Sequence, residues 1–220
     1  MEKELTIGET IQDFKKELGD EVTLVAVSKT KPNELLLEAY EAGQRDYGEN
    51  KVQEMTDKHE ALPKDIKWHM VGHVQSNKVK YMAPYVYMIH AVDKYKTLKE
   101  INKQAKQNER IINCLLQLKI AKEDTKFGLS ETDLKNLLNQ PELQELEHIK
   151  IRGLMGMATF TDDESQIHAE FDHLEKVYYE LKEENKFDTL SMGMSGDYQL
   201  AMKHDTNMVR IGSSIFGKRD

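Results

Sequence analysis

Two hydrophobic patterns alternate along the chain. The first is a short run of consecutive apolar residues, and "VTLVAVSK" from Val22 is the clearest example. Seven more segments read as short extended candidates, most of them similarly apolar: Arg45–Asn50, Lys67–His73, Tyr87–Asp93, Arg110–Ile120, Ile151–Met157, Asp188–Ser195 and Met208–Phe216. Runs that are apolar throughout, rather than alternating with polar residues, predict strands buried on both faces, as in parallel sheets. The second pattern is a stripe at helical spacing. Leu5, Ile7, Ile11, Phe14 and Leu18 form one, with Gly19 as a C-terminal cap. Leu35, Leu36, Ala39 and Tyr40 form another, with Asn33 as its expected N-cap and Gly43 as its stop. Tyr95, Leu98, Ile101 and Ala105 make a third. Ser130 with Asp133 opens a fourth in capping-box fashion, continued by Leu134, Leu137 and Leu138. The longest carries Ile167, Phe171, Leu174, Tyr178 and Leu181, with acidic residues opposite.

Eight strands, each followed by a helix or helix-like turn, predict an α/β protein with the (β/α)8 TIM barrel architecture. The alternative is an open doubly wound sheet, because periodicity does not show closure. No linker or charge block divides residues 1–220, so a single domain is expected, with Leu137–Leu146 as its most irregular connection.

Composition narrows the function. The chain has 31 Lys and Arg against 39 Asp and Glu, a net charge of −8, with no basic block, so no nucleic-acid partner is expected. No apolar run reaches membrane-spanning length, and the N-terminal MEKELTIGET lacks a signal-peptide core, so no membrane partner is expected either. The single Cys114 fits a reducing, cytoplasmic setting; its apolar surroundings predict a packed thiol. Trp68 is expected in the core. His69 and His73 share a strand face but lack a third ligand, so no metal site is expected, and His168 and His173 are read as solvated.

In a barrel, function sits at the C-terminal strand ends. There the chain places Lys29, Glu49-Asn50, and His73 with Gln75 and Asn77 beyond it. Ser191–Gly196 and Ile211–Ser214 end the last two strands with the small residues and hydroxyls that an anion cradle needs. Each alone reads as an ordinary turn; two such turns where barrels bind phosphate favour the cradle. Arg210 stands inside an apolar strand, either in a salt bridge to a carboxylate such as Glu49 or facing a ligand acceptor. A lysine amine, a phosphate cradle and a buried arginine together suit pyridoxal 5'-phosphate.

The motifs "VAVSKTKP", "AGQRDYGENKVQE", "WHMVGHVQSNK", "LSMGMSGD" and "MVRIGSSIFG" closely resemble those of the YggS/PROSC pyridoxal phosphate homeostasis proteins, in order from Val25 to Gly217. The resemblance implies a barrel like the N-terminal domain of alanine racemase (fold type III) and a cofactor held as a Schiff base on Lys29. It assigns phosphate contacts to Ser191, Gly193, Ser195, Gly212 and Ser213, the ring nitrogen to Arg210, and a place beside the cofactor to Asn50. It implies a non-catalytic monomer that stores, buffers or delivers pyridoxal phosphate, with dependent apo-enzymes as partners. Many bacterial members carry proline where this chain has His73, a departure at the pocket rim. The competing function is an amino-acid racemase. That needs a second base opposite Lys29. The chain ends at Asp220 without the additional domain that supplies it in alanine racemases, which leaves Tyr47 or Tyr81 as substitutes.

Overall fold

The computed structural model describes residues 5–122 and 127–217. Its elements run α1 (Ile7–Leu18), β1 (Thr23–Val27), α2 (Asn33–Glu41), β2 (Asp46–Glu49), α3 (Val52–Ala61) and β3 (Lys67–Met70). Then follow α4 (Val79–Met82), β4 (Met88–Val92), α5 (Tyr95–Gln107), β5 (Ile112–Gln117), α6 (Glu131–Leu138) and β6 (Ile149–Met155). The chain finishes with α7 (Glu164–Asn185), β7 (Thr189–Met194), α8 (Tyr198–Ala201), β8 (Met208–Ile211) and α9 (Ser213–Phe216). All strand pairs are parallel, and β8 pairs with β1, so the sheet closes into a barrel. Closure excludes the open-sheet alternative. Among the described residues, no helix is long and apolar enough to cross a membrane.

The strands are apolar on both faces because each face has its own core. Leu24, Ala26, Tyr47, Trp68, Ile89 and Cys114 point outward against the helices, whereas Val25, Met88, Ala91, Leu115, Met155 and Met208 fill the barrel. Successive residues of β1 thus serve different cores, the period-two consequence of a pleated strand. The barrel interior is not wholly apolar: the fully buried His69 and His90 meet there, Nδ1 to Nε2 at 2.8 Å.

Helix starts follow local chemistry. Thr6 and Glu9 cap α1 reciprocally, an arrangement whose loss costs about 1 kcal/mol. Ser130 caps α6 by accepting from the Asp133 amide. Asn33 is not the N-cap expected: it is the first helical residue of α2, and Pro32, in extended conformation, takes the N-cap place without a side-chain bond. Most strands are shorter than the expected segments: β5 covers only Ile112–Gln117 of Arg110–Ile120, and two others matter for the site. β3 ends at Met70, so His73 lies beyond it, and β8 ends at Ile211, after which Ser213–Phe216 form a helical turn. The polar Leu137–Leu146 connection contains a 3-10 turn at Pro141–Glu145.

Candidate functional site at the mouth of the barrel

The β8–β1 seam builds the site. Val25 lies in register with Arg210 and Ala26 with Ile211, which places the exits of the first and last strands side by side. Lys29 follows β1 in the turn Ser28–Lys31, where the Lys31 amide donates to the Ser28 carbonyl at 3.1 Å. Thr30 in that turn has φ of 65°, the left-handed region that a β-branched residue avoids. Its amide donates to Glu54 Oε1 at 2.5 Å.

Beneath Lys29 is a buried ionic group. Ser28 Oγ donates to Glu49 Oε1 at 2.7 Å, and the Lys58 ammonium donates to Glu49 Oε1 at 2.8 Å, Glu54 Oε1 at 2.8 Å and the Ser28 carbonyl at 2.7 Å. Burial raises the Glu49 pKa, opposed by Lys58 and by the Ser28 hydrogen bond. Glu49 is therefore partnered by Lys58 and Ser28. The salt bridge from Arg210 to Glu49 that the sequence left open is not the one formed.

Arg210 is 5% exposed, and its guanidinium donates to Ser191 Oγ and, at 2.9 Å, to the Gly156 carbonyl. These two bonds use two of five N–H donors. Burial brings its pKa down to about 10, with the Asp197 carboxylate opposing, so it remains a cation at neutral pH. The interior histidines lie on the same side of the sheet: His69 Nε2 contacts Asp46 Oδ1 at 2.9 Å and its other nitrogen meets His90. The pKa of His90 falls well below the usual value through burial, then through His69 and Arg210.

The loops after β7 and β8 meet at Ser195. Its Oγ accepts from the Gly212 amide at 3.1 Å and the Ser214 amide at 3.5 Å, so two backbone donors converge on one oxygen at the start of α9. Glycine is required here by space: a Cβ on Gly212 would stand 2.8 Å from the Val27 carbonyl oxygen. Gly193 adopts φ of +95°, and a Cβ there would meet Ala201 at 2.8 Å. Converging amides, hydroxyls and absent side chains form a cradle that fits a phosphate, with the Lys29 turn adjacent across the seam.

The structure thus gathers Lys29, Gly193, Ser195, Arg210, Gly212 and the exposed Ser213 around the exits of β7, β8 and β1. Asn50 stands exposed just past β2, its backbone held close by Gly72. Ser191 differs from its expected company: it is fully buried mid-strand, and its hydroxyl serves Arg210.

Other sequence candidates separate. His73 stacks on Phe127 at the rim, with ring centroids 4.4 Å apart, and shares no site with His69. His168 is not simply solvated: its Nδ1 lies 2.9 Å from His204 Nε2, and His204 in turn meets Glu175 and Asp172 on the barrel's flank. Cys114 and Trp68 are buried, as expected. Lys58, Glu54 and His90 were not singled out in the sequence. The signal for the first two was the i, i+4 spacing of Glu54 and Lys58 one helical turn after "GEN".

A closed parallel barrel with a lysine, a buried arginine and an amide cradle at one mouth defines a class. Residues 6–220 match the family model described as "Alanine racemase, N-terminal domain". An alanine racemase from Clostridium difficile shares the fold (TM-score 0.79, 13% identity, 97% of this chain, 57% of that one). Closer likenesses are more specific. The pyridoxal phosphate homeostasis protein of Vibrio alginolyticus is 40% identical over 208 residues, 91% of this chain and 88% of that protein. PipY of Synechococcus elongatus PCC7942 superposes with TM-score 0.90 at 34% identity without PLP, and 0.88 at 33% with PLP bound; each covers 96% of this chain and 100% of PipY. The chain belongs to the family of pyridoxal phosphate homeostasis proteins.

Proposed function

We propose that this chain binds pyridoxal 5'-phosphate at the barrel mouth, holds it covalently on Lys29, and stores or delivers it without turning over amino acids. The observation that carries the reading is the β8–β1 seam, which sets the Lys29 turn beside the Ser195–Gly212 cradle with Arg210 below. The naming of its relatives and the PLP-bound PipY structure support it. When bound, pyridoxal phosphate supplies an aldehyde for an amine and a ring that withdraws electrons.

The chain's residues would divide the work as follows. Lys29 provides the amine. The Ser195 and Ser213 hydroxyls would hold the phosphate end, the Gly212 and Ser214 amides that donate to Ser195 Oγ would fix that hydroxyl or turn to the phosphate themselves, Gly193 lets the end of β7 pass close to α8, and Asn50 lines the opposite rim. Arg210 would face the ring nitrogen, and Ser191 orients the guanidinium through the bond it accepts. A guanidinium that stays protonated donates a hydrogen bond but no proton. It therefore leaves a pyridine nitrogen neutral and the ring a weak electron sink. The site is suited to holding the group and releasing it by amine exchange.

The racemase reading needs a second acid–base group across from Lys29, and the structure takes away one of its two candidates. Tyr47 is fully buried among the helices, its hydroxyl donates to the Leu36 carbonyl at 2.9 Å, and burial raises its pKa. Tyr81 is half exposed on α4. A reducing compartment suits the lone buried Cys114. We accordingly place the protein in the cytoplasm, and propose further that it acts as a monomer on dependent apo-enzymes. The test is to incubate the loaded protein with L-amino acids in deuterated water and, separately, with a cofactor-requiring apo-enzyme. Activation of the apo-enzyme with negligible α-deuteration is expected; deuteration on the scale of catalytic turnover would establish a racemase instead.

A further inference from the structure

We propose that Lys58 is a positioning residue for Lys29, fixing the two peptide groups that flank it through one buried ammonium and two carboxylates. The proposal rests on the reading of Lys29 as the point of covalent attachment. The Lys58 side chain is 7% exposed, and its three protons are all spent: on the Ser28 carbonyl, Glu49 and Glu54. Each recipient touches the Lys29 turn. The Ser28 carbonyl belongs to the peptide bond entering Lys29. Glu49 holds the Ser28 hydroxyl. Glu54 accepts from the Thr30 amide, which belongs to the peptide bond leaving Lys29.

Stability alone is a weak reason for such a group. A buried ion pair is often no better than packed apolar residues, because desolvation offsets the attraction. The geometry supplies another reason. Thr30 is held in a left-handed conformation that a β-branched residue avoids, and such a conformation persists only where surrounding bonds over-determine it. The Glu54 carboxylate, itself held by Lys58, provides that restraint. The turn cannot relax toward an ordinary extended exit, which would swing the Lys29 side chain away from the seam.

The experiment compares the wild type with Glu54→Ala, Lys58→Met and Lys58→Met/Glu49→Gln. The double variant avoids leaving a buried carboxylate without its cation. Three quantities are read: the thermal midpoint, hydrogen exchange at the Thr30 amide in the chain without ligand, and the rate of borohydride-trappable attachment of pyridoxal phosphate. Folded variants should lose Thr30 protection and attach the ligand roughly 10- to 100-fold more slowly, the scale expected of a reactive group misplaced by about 1 Å. Wild-type protection and wild-type rates in the folded variants would overturn the proposal. Should Lys58 variants fail to fold, Glu54→Ala decides, because it cuts the Thr30 tie and leaves the Lys58–Glu49 pair intact. If the wild type attaches no ligand at Lys29, the functional reading falls and the proposal with it. Attachment at Lys29 that is indifferent to these substitutions removes the proposal alone.

Discussion

Ala26 of β1 lies directly opposite Ile211 of β8, across the seam that closes the barrel. This pairing brings together motifs from the two ends of the chain and sets the Gly212 backbone against that of Val27, where no Cβ fits between them. The proposed phosphate cradle and the lysine turn are therefore one construction.

Gly212→Ala should test that construction. A methyl 2.8 Å from a backbone oxygen forces the strands to shift, at a cost of about 1–3 kcal/mol. It should also abolish most of the preference for pyridoxal phosphate over pyridoxal. Gly196→Ala, in the neighbouring loop with nothing near its Cβ, should change stability by less than about 0.5 kcal/mol. Urea denaturation and a titration with each vitamer provide the comparison; equal behaviour of the two variants would show the space at Gly212 to be unimportant.

Arg210→Met strands two buried acceptors, Ser191 Oγ and the Gly156 carbonyl. A loss of about 1–3 kcal/mol is expected. Adding Ser191→Ala should recover part of it, since one orphaned group is then removed. A double-mutant cycle measures the coupling, and strict additivity would mean that the Arg210–Ser191 bond contributes nothing of its own.

The barrel was largely legible because burial on both faces leaves continuous apolar runs at strand length. Closure was not, since pairing between residues near 25 and near 210 leaves no local trace. The lysine, the arginine and the glycine-serine turns stood out by type and position. Ser191 and Ser195 looked equivalent, yet pleating buries Ser191 beside Arg210 and leaves Ser195 past the strand end. Lys58 was hidden because no helical stripe marks Val52–Ala61 and a lysine in so charged a stretch looks solvated. His168 was misread for the same reason, its partner His204 being far away in sequence. His90 lies inside the Tyr87–Asp93 segment, where nothing local announces a partner on the neighbouring strand.

His90 makes stability depend on pH. Its folded pKa lies well below the ordinary 6.5, because burial, His69 and Arg210 all oppose its charge. The unfolded chain binds this proton more readily, so the stability is present above pH 6.5 and is lost as pH falls below it toward the folded pKa. Asp46, beyond His69, is the nearest acid in the chain of hydrogen bonds. Between pH 6.5 and 5.5 the loss from this group should be about 1 kcal/mol. His90→Gln should flatten the profile in chemical denaturation by that amount; an unchanged slope would show that His90 does not titrate on unfolding.

Cys114 is fully buried, and burial pushes its thiol pKa up to about 12. In the native protein it should resist alkylation by iodoacetamide at pH 8 and react on the timescale of unfolding in urea. Rapid native labelling, followed by mass spectrometry, would show the outer core to be open at β5.

The central claim is that Lys29 is the residue that captures the aldehyde. The chain is incubated with pyridoxal phosphate, reduced with borohydride, digested and mapped by mass spectrometry. The label is predicted on Lys29, and it should disappear in a Lys29→Ala variant that melts within a degree or two of the wild type, as expected for a half-buried side chain outside both cores. A label on Lys31 or any other lysine, or no covalent adduct at all, would contradict the account.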